Sequence, residues 1–401
     1  MKYIILIGDG MSDLPLDELD GKTPLQVSNK PNIDKLTKKG RSGFIQNVPK
    51  GYTPGSDVAN MSIFGFNPEK YYSGRGPLEA GSMGINIKEN DVIFRCNFVF
   101  EEDNEIKDFT ADHISSKEAE ILINDLNNFF KNNSNFKFYP GVSYRHVFIY
   151  NSKNQKEIAN YNTMPPHDII GEDISKYMDW PLKDGEELKN IIFKSKDFLE
   201  NHPINKERVK KGKKPANMIW LWGQGTKPSM DDFNETYNKK GGIITGVDLL
   251  KGIGTFTGLK VINVPGATGY LDTDYKAKGK YALDNLKDLD IVIIHVEAPD
   301  EAGHEGNLKE KIKAIEMIDK DVLGTILNDV EKYGDYKIAI LPDHPTPIDL
   351  KTHTNDKVPI TIYSSLEDDI DEVTSYDEES VKKGSLGDMI GHNLINFLIE
   401  K

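Results

Sequence analysis

Short apolar runs that stop at glycine, proline, serine or an acidic residue recur along this chain. The first, Tyr3–Ile7, runs straight into Gly8, Asp9 and Gly10. Later runs are MIWLW (218–222), KVINV (260–264), DIVIIHV (290–296), KIAIL (337–341) and PITIY (359–363). They are apolar throughout rather than alternating, the pattern of strands covered on both faces. Most are separated by stretches with helical spacing, notably 274–287, 309–332 and 387–400. Pro31 opens a shorter helix, with Ile33 and Leu36 on one face and Gly40 at its end. Strands alternating with helices predict an α/β fold: a mainly parallel sheet with helices on both faces.

The middle of the chain has a different texture. Between about Asp91 and Asn205 stand alternating strands (FRCNFVF, YRHVFIY), one helical pattern at 117–131, and extended stretches rich in Asn and Lys. This predicts a smaller α+β domain, 89–209, inserted between the two halves of a sheet domain, 1–88 and 210–401. The basic segment NKERVKKGKKPAN (205–217) reads as a solvated helix end or connector.

Composition narrows the partners. The 401 residues carry a net charge of −14, which argues against nucleic acid and anionic membranes as general partners. Local cations can still hold an anionic substrate. Acidic runs such as SSLEDDIDE and YDEES read as solvated surface. The single cysteine, Cys96, cannot form an intrachain disulfide and fits a reducing compartment. The opening MKYIILIGDG is neither a signal peptide nor a membrane span, so a cytoplasmic location is expected.

In open parallel sheets, functional groups collect outside the carboxyl ends of the strands. Asp9 follows the first run. Glu297, Asp300 and His304 follow DIVIIHV, and Asp343, His344 and then His353 follow KIAIL in the proline-studded stretch LPDHPTPIDLKTHT. The three aspartates and three histidines suffice for two metal ions with mixed O/N ligation, a set suited to manganese, zinc or iron. Each residue alone has a plain structural explanation. An aspartate after a strand is often a turn former or helix cap, and His304 could simply share a helical face with Asp300. Their joint placement at successive strand ends points to a site. His295 and His392 read as core or surface residues.

A second feature is GYTPGSDVANMSIFG (51–65). Pro54-Gly55 forms a turn, Ser56 falls at a helix N-cap, and Val58, Met61 and Phe64 suit a short amphipathic helix. As structure, Ser is a preferred cap and Asp57 complements the dipole. As function, a hydroxyl at a helix start faces free N–H groups that favour phosphate, and a bound metal would make it a nucleophile.

Taken together, IGDGM, PGSDVANMSIFG, YYSGRGPLEA, APDEAGHEGN and PDHPTP…THT…VPI resemble the cofactor-independent (2,3-bisphosphoglycerate-independent) phosphoglycerate mutases. The likeness is to their short archaeal-type branch, within the alkaline phosphatase superfamily, and it spans nearly the whole chain. The resemblance implies an alkaline-phosphatase-like sheet domain holding two divalent metal ions, usually manganese, with zinc or cobalt as alternatives, and no 2,3-bisphosphoglycerate. By resemblance one metal takes Asp300, His304 and His353, and the other takes Asp9, Ser56, Asp343 and His344. Ser56 would be the nucleophile that carries the phosphoryl group between 3- and 2-phosphoglycerate, while the inserted domain closes over the site. Arg75, Arg95, Arg145 and His146 are candidates for holding the substrate, as is one of Lys276, Lys278 and Lys280. Each arginine could equally be a surface ion pair.

The chain departs from the longer bacterial pattern. It has PGSDVAN where that branch has a GNSEVGH-type sequence, and Pro-Thr-Pro rather than Gly-Asn after Asp343-His344; the arginine-rich DGRD signature is absent. Two neighbours stay open: a homoserine-kinase-like paralogue and a phosphohydrolase of the same superfamily.

Overall fold

The computed structural model describes residues 1–366 and 370–400, so the acidic run 364–372 falls partly outside the described residues. In chain order the strands are β1 (Lys2–Gly8), β2 (Arg41–Gln46), β3 (Asp91–Glu102), β4 (Glu105–Asp108), β5 (Phe136–Tyr139), β6 (Arg145–Asn151) and β7 (Met218–Thr226). They continue with β8 (Gly241–Ile244), β9 (Lys260–Val261), β10 (Ile291–Val296), β11 (Tyr336–Leu341), β12 (Val358–Ser364) and β13 (Gly387–Ile390). The chain divides into two compact units, Met1–Tyr72 with Ser229–Lys401, and Ser73–Pro228.

The first unit is built on an eight-stranded sheet of order β13-β2-β12-β11-β1-β10-β8-β9. The sheet is mainly parallel. β1 runs parallel to both neighbours, with Ile5 opposite Ile293 of β10 and Ala339 of β11. Only β12 runs against its neighbours. Every residue of β10 and β11 is buried, so packing covers both faces of the sheet centre. The helices Tyr275–Asn285 and Leu308–Met317 contribute Ala282, Leu283, Ala314 and Ile315 to that core.

The second unit has its own core around an antiparallel sheet, ordered β4-β3-β6-β5 with β7 also on β3. Here the boundaries differ from those expected. MIWLW belongs to β7, which pairs antiparallel with β3 through Cys96↔Leu221 and Phe98↔Ile219 rather than joining the parallel sheet. An apolar run signals burial but not its partner, so this strand was assigned to the wrong sheet. The stretch 387–400 also differs: Gly387–Ile390 is an edge strand, and the α-helix starts only at Leu394. In the basic segment Arg208 is buried, donating to Glu118 and to the Ala111 carbonyl, so it is not a purely solvated connector.

Within the first unit the loops leaving β1 and β11 are tied together from below. Lys311 Nζ donates to Asp13 Oδ2 at 2.7 Å, to the Ser12 carbonyl at 3.2 Å and to the Thr346 carbonyl at 2.8 Å. Asp13 accepts the Ile348 N–H in turn. Glu378 holds the β1 side alone, accepting from Ser12 Oγ, the Asp13 N–H and Thr23 Oγ1. YDEES is therefore only partly solvated surface: Glu379 is exposed, but Tyr376 and Asp377 are buried and Glu378 turns inward to cap this loop. Among the described residues no helix is long and apolar enough to cross a membrane.

The Lys311–Asp13 pair is wholly buried, and removing one partner leaves the other charge uncompensated. Lys311→Met is expected to lower stability by about 3–5 kcal/mol, read from urea denaturation.

Candidate active site

Four backbone devices bring the polar residues together in the first unit. Asp9 stands at the end of β1, and Gly10 turns the chain with φ +60°. A Cβ on Gly10 would lie 2.5 Å from Thr346 Oγ1 and 2.8 Å from Asp300 Cα, so only glycine fits. The helix Ala298–Glu305 follows β10, with proline in its first turn and Gly306 at φ 69° ending it. It carries Asp300 and His304 one turn apart. The helix Ser56–Ile63 starts from an extended Gly55, and here the expectation shifts by one position. Gly55 is the N-cap and Ser56 the first helical residue, so the Ser56 hydroxyl makes no capping bond. The fourth device is the irregular stretch after β11, which brings Asp343, His344, Thr346 and His353 alongside.

Ser56 Oγ donates to Asp9 Oδ2 at 3.4 Å and lies 3.2 Å from His344 Nε2. His344 Nε2 is 3.6 Å from Asp9 Oδ1 and 3.5 Å from Asp343 Oδ2. Asp343 accepts the Gly10 N–H and Asn60 Nδ2, and the same Asn60 amide donates back to the Ser56 carbonyl. Beside this group, Asp300 lies 3.2 Å from His304 Nε2 and 3.3 Å from His353 Nε2, and it accepts from Thr346 Oγ1. The two imidazoles meet at Nε2 atoms 2.9 Å apart. The structure thus brings together Asp9, Ser56, Asp300, His304, Asp343, His344 and His353.

The electrostatics of this cluster are those of a cation site. Burial, then the Asp343, Asp300 and Glu297 carboxylates, push Asp9 well above the usual range. Burial and Asp300 do the same to Glu297. For Asp300 burial is outweighed by its bonds to His304 and His353, which hold it well below the usual range. Burial keeps His344 neutral, the form that binds metal. Asp9 Oδ1 is buried without a hydrogen-bond partner among the described residues, a costly state unless something else compensates it. Ligand atoms of Asp300, His304 and His353 lie within 4.8 Å of one another, as do those of Asp9, Asp300 and His344. Crowded carboxylates, the neutral His344 imidazole and an orphaned oxygen fit divalent cations.

The arginine candidates and His146 lie in the second unit. Arg95 is buried on β3, paired with Glu79 at 2.8 Å and stacked 4.3 Å from the Trp222 ring centroid. Burial lowers its pKa, Glu79 opposes that, and Arg75 and Arg145 lower it further, so the three guanidiniums share one neighbourhood. His167 joins them, its pKa lowered by burial and by Arg75 and Arg95. His146 does not. It packs edge-on against Phe98 in the core, and burial drops its pKa to about 3. Of the three lysines only Lys278 is buried, with Nζ on the His295 carbonyl at 2.9 Å.

A 2,3-bisphosphoglycerate-independent phosphoglycerate mutase of Methanosarcina mazei is 50% identical to this chain over 401 residues, covering 100% of each. The chain belongs to that family. A mutase of the same description from Methanothermobacter thermautotrophicus is 48% identical over 400 residues, 100% of this chain and 98% of its own. The family model for 2,3-bisphosphoglycerate-independent phosphoglycerate mutase matches residues 37–205. Among solved structures, a Pyrococcus horikoshii protein superposes with a TM-score of 0.82 at 31% identity, covering 100% of this chain and 96% of its own. The cofactor-independent phosphoglycerate mutase of Thermoplasma acidophilum gives 0.68 at 27%, covering 100% and 99%.

Sequence reasoning missed three residues at or near these groups. Asn60 and Thr346 orient Asp343 and Asp300, and His295 sits against Asp9 at 3.0 Å. An asparagine and a threonine carry no spacing signal, whereas the one imidazole inside IVIIHV could have been questioned.

His304 has a pKa raised to about 9, chiefly by its bond to Asp300. A histidine raised in the folded state stabilises fully below its unfolded value of about 6.5, and that contribution is lost as pH climbs through the folded value. In chelator-treated protein, stability should therefore fall between about pH 6.5 and 9, and His304→Gln should flatten that slope in thermal melts across the range.

Proposed function

We propose that this chain interconverts 3-phosphoglycerate and 2-phosphoglycerate through a phosphoserine on Ser56, with two divalent cations as cofactors. The observation that carries the reading is the uncapped Ser56 hydroxyl, set at a helix start between Asp9 and His344. The names of its relatives, at about half identity over the full chain, support the substrate.

Asp300, His304 and His353 would hold one cation, and Asp9, Ser56, Asp343 and His344 the other. Manganese is the proposed metal. Bound there, such cations neutralise the carboxylates, favour the alkoxide of a ligated hydroxyl and offset charge on phosphoryl oxygens. The protein supplies position. The Ser56 O–H already points at Asp9 Oδ2, Asn60 holds both the Ser56 carbonyl and Asp343, and the N–H groups of the helix Ser56–Ile63 favour an incoming phosphate.

Ser56 Oγ attacks phosphorus in line, forming the Ser56 O–P bond as the ester O–P bond to the 3-oxygen of glycerate breaks. The proton that Ser56 gives up is balanced by the one the released glycerate hydroxyl takes on. Reoriented glycerate then attacks with its 2-hydroxyl, and Oγ leaves as the serine is regenerated. Arg75, Arg95 and Arg145 are the proposed holders of the substrate's anionic groups, since a guanidinium fork matches phosphate and carboxylate. His146, buried against Phe98, is left out of this set.

Manganese-loaded protein given 3-phosphoglycerate, with enolase coupled to report 2-phosphoglycerate, tests the reading. Turnover is expected, with a phosphoryl adduct on Ser56 by mass spectrometry. Ser56→Ala should lose about 10³-fold or more in rate while the fold is preserved by circular dichroism. No turnover of glycerates, with ATP-dependent phosphorylation of homoserine, would replace the mutase reading by a kinase; steady release of inorganic phosphate would replace it by a phosphohydrolase. Arg95→Lys should raise KM more than it lowers kcat, because a lysine cannot reproduce the bidentate fork.

A further inference from the structure

His295 stands in the apolar strand β10, wholly buried. A buried imidazole among isoleucines and valines is unfavourable unless both ring nitrogens find partners. Nδ1 has one: it lies 3.4 Å from Thr245 Oγ1, a hydroxyl that already accepts the Val247 N–H and has a lone pair left for an Nδ1–H. Nε2 has none. It sits 3.0 Å from Asp9 Oδ2 without forming a hydrogen bond, and Asp9 Oδ1 beside it is likewise unpartnered. The register explains the meeting: Ile7 pairs with His295, and Asp9, two residues beyond Ile7, continues on the same face.

The histidines proposed above as cation ligands share one orientation. His304 Nδ1 faces the Lys351 carbonyl at 3.0 Å, His353 Nδ1 the Pro54 carbonyl at 3.3 Å, and His344 Nδ1 the Thr346 hydroxyl at 3.3 Å. In each, Nε2 is turned to the carboxylates. A ligating imidazole takes this form, because an oxygen that accepts Nδ1–H fixes the tautomer and leaves the Nε2 lone pair free. His295 repeats the pattern with Thr245. Its Nε2 and carboxylate oxygens of Asp9 and Asp343 lie within 4.8 Å of one another.

We infer that His295 Nε2 is a further ligand of the cation held by Asp9 and Asp343, so that this position has two imidazole ligands rather than one. The inference rests on the two-cation reading above. It gives His295 a chemical role beside His344, and it makes Thr245 the residue that sets the His295 tautomer.

Proton NMR of the cobalt-loaded protein separates the possibilities, since each ligated imidazole gives an exchangeable N–H resonance shifted far outside the diamagnetic range. His295, His304, His344 and His353 should give four such signals, and His295→Gln should lose one while circular dichroism is unchanged. Should that variant fail to fold, the count in the wild-type protein decides. Three signals in the wild type, or none lost in the variant, overturns the ligand role of His295 and leaves the two-cation reading standing. No shifted signal at all overturns both.

Discussion

Asp9, Asp300 and Asp343 are buried side by side, and much of the first unit is arranged to tolerate that crowding. Like charges so placed repel strongly in a medium of low polarisability. The fold answers with hydrogen-bond donors where it has them: the Gly10 N–H and Asn60 amide on Asp343, and Thr346 with two imidazoles on Asp300. Among the described residues Asp9 receives least, a long bond from Ser56. The residual imbalance suits the cluster to positive charge, and its greatest deficit lies beside the serine hydroxyl.

Rigidity comes from groups that never meet the cluster's open side. Lys311 stitches the loops after β1 and β11 to one another, and Glu378 pins the first of them to Thr23, so the carboxylates are held by loops that cannot drift apart independently. This arrangement limits the geometric freedom that repulsion would otherwise exploit. Gly10 makes the same point sterically, since the chain passes so close to Asp300 and Thr346 that no side chain can intervene.

How much of this could be read in the residues alone varies with the kind of signal. The strand ends were legible because apolar runs stop abruptly at Asp9, Glu297 and Asp343, and a parallel sheet gathers such ends at one rim. The pairing of Asp300 with His304 followed from their helical spacing. Other features left no local trace. MIWLW is as apolar as the strands of the parallel sheet, so nothing in it says that its partner is β3. One residue separates an N-cap from the first helical position, and that residue decides whether the Ser56 hydroxyl serves the backbone or stands free. Glu378 sits in an acidic run whose composition promises solvent, yet three donors draw it inward. His295 looked like an ordinary core histidine because the residue that matters, Asp9, is distant in sequence.

The position of β1 at the centre of its sheet bears on how the chain is made. Its two neighbours, β10 and β11, span residues 291–296 and 336–341, so a nascent KYIILIG segment emerges long before either edge it needs. The unit Ser73–Pro228, by contrast, draws its core from one continuous stretch and can collapse while translation proceeds. Until the last third of the polypeptide is synthesised, the first strand is a bare, sticky ribbon in need of shelter.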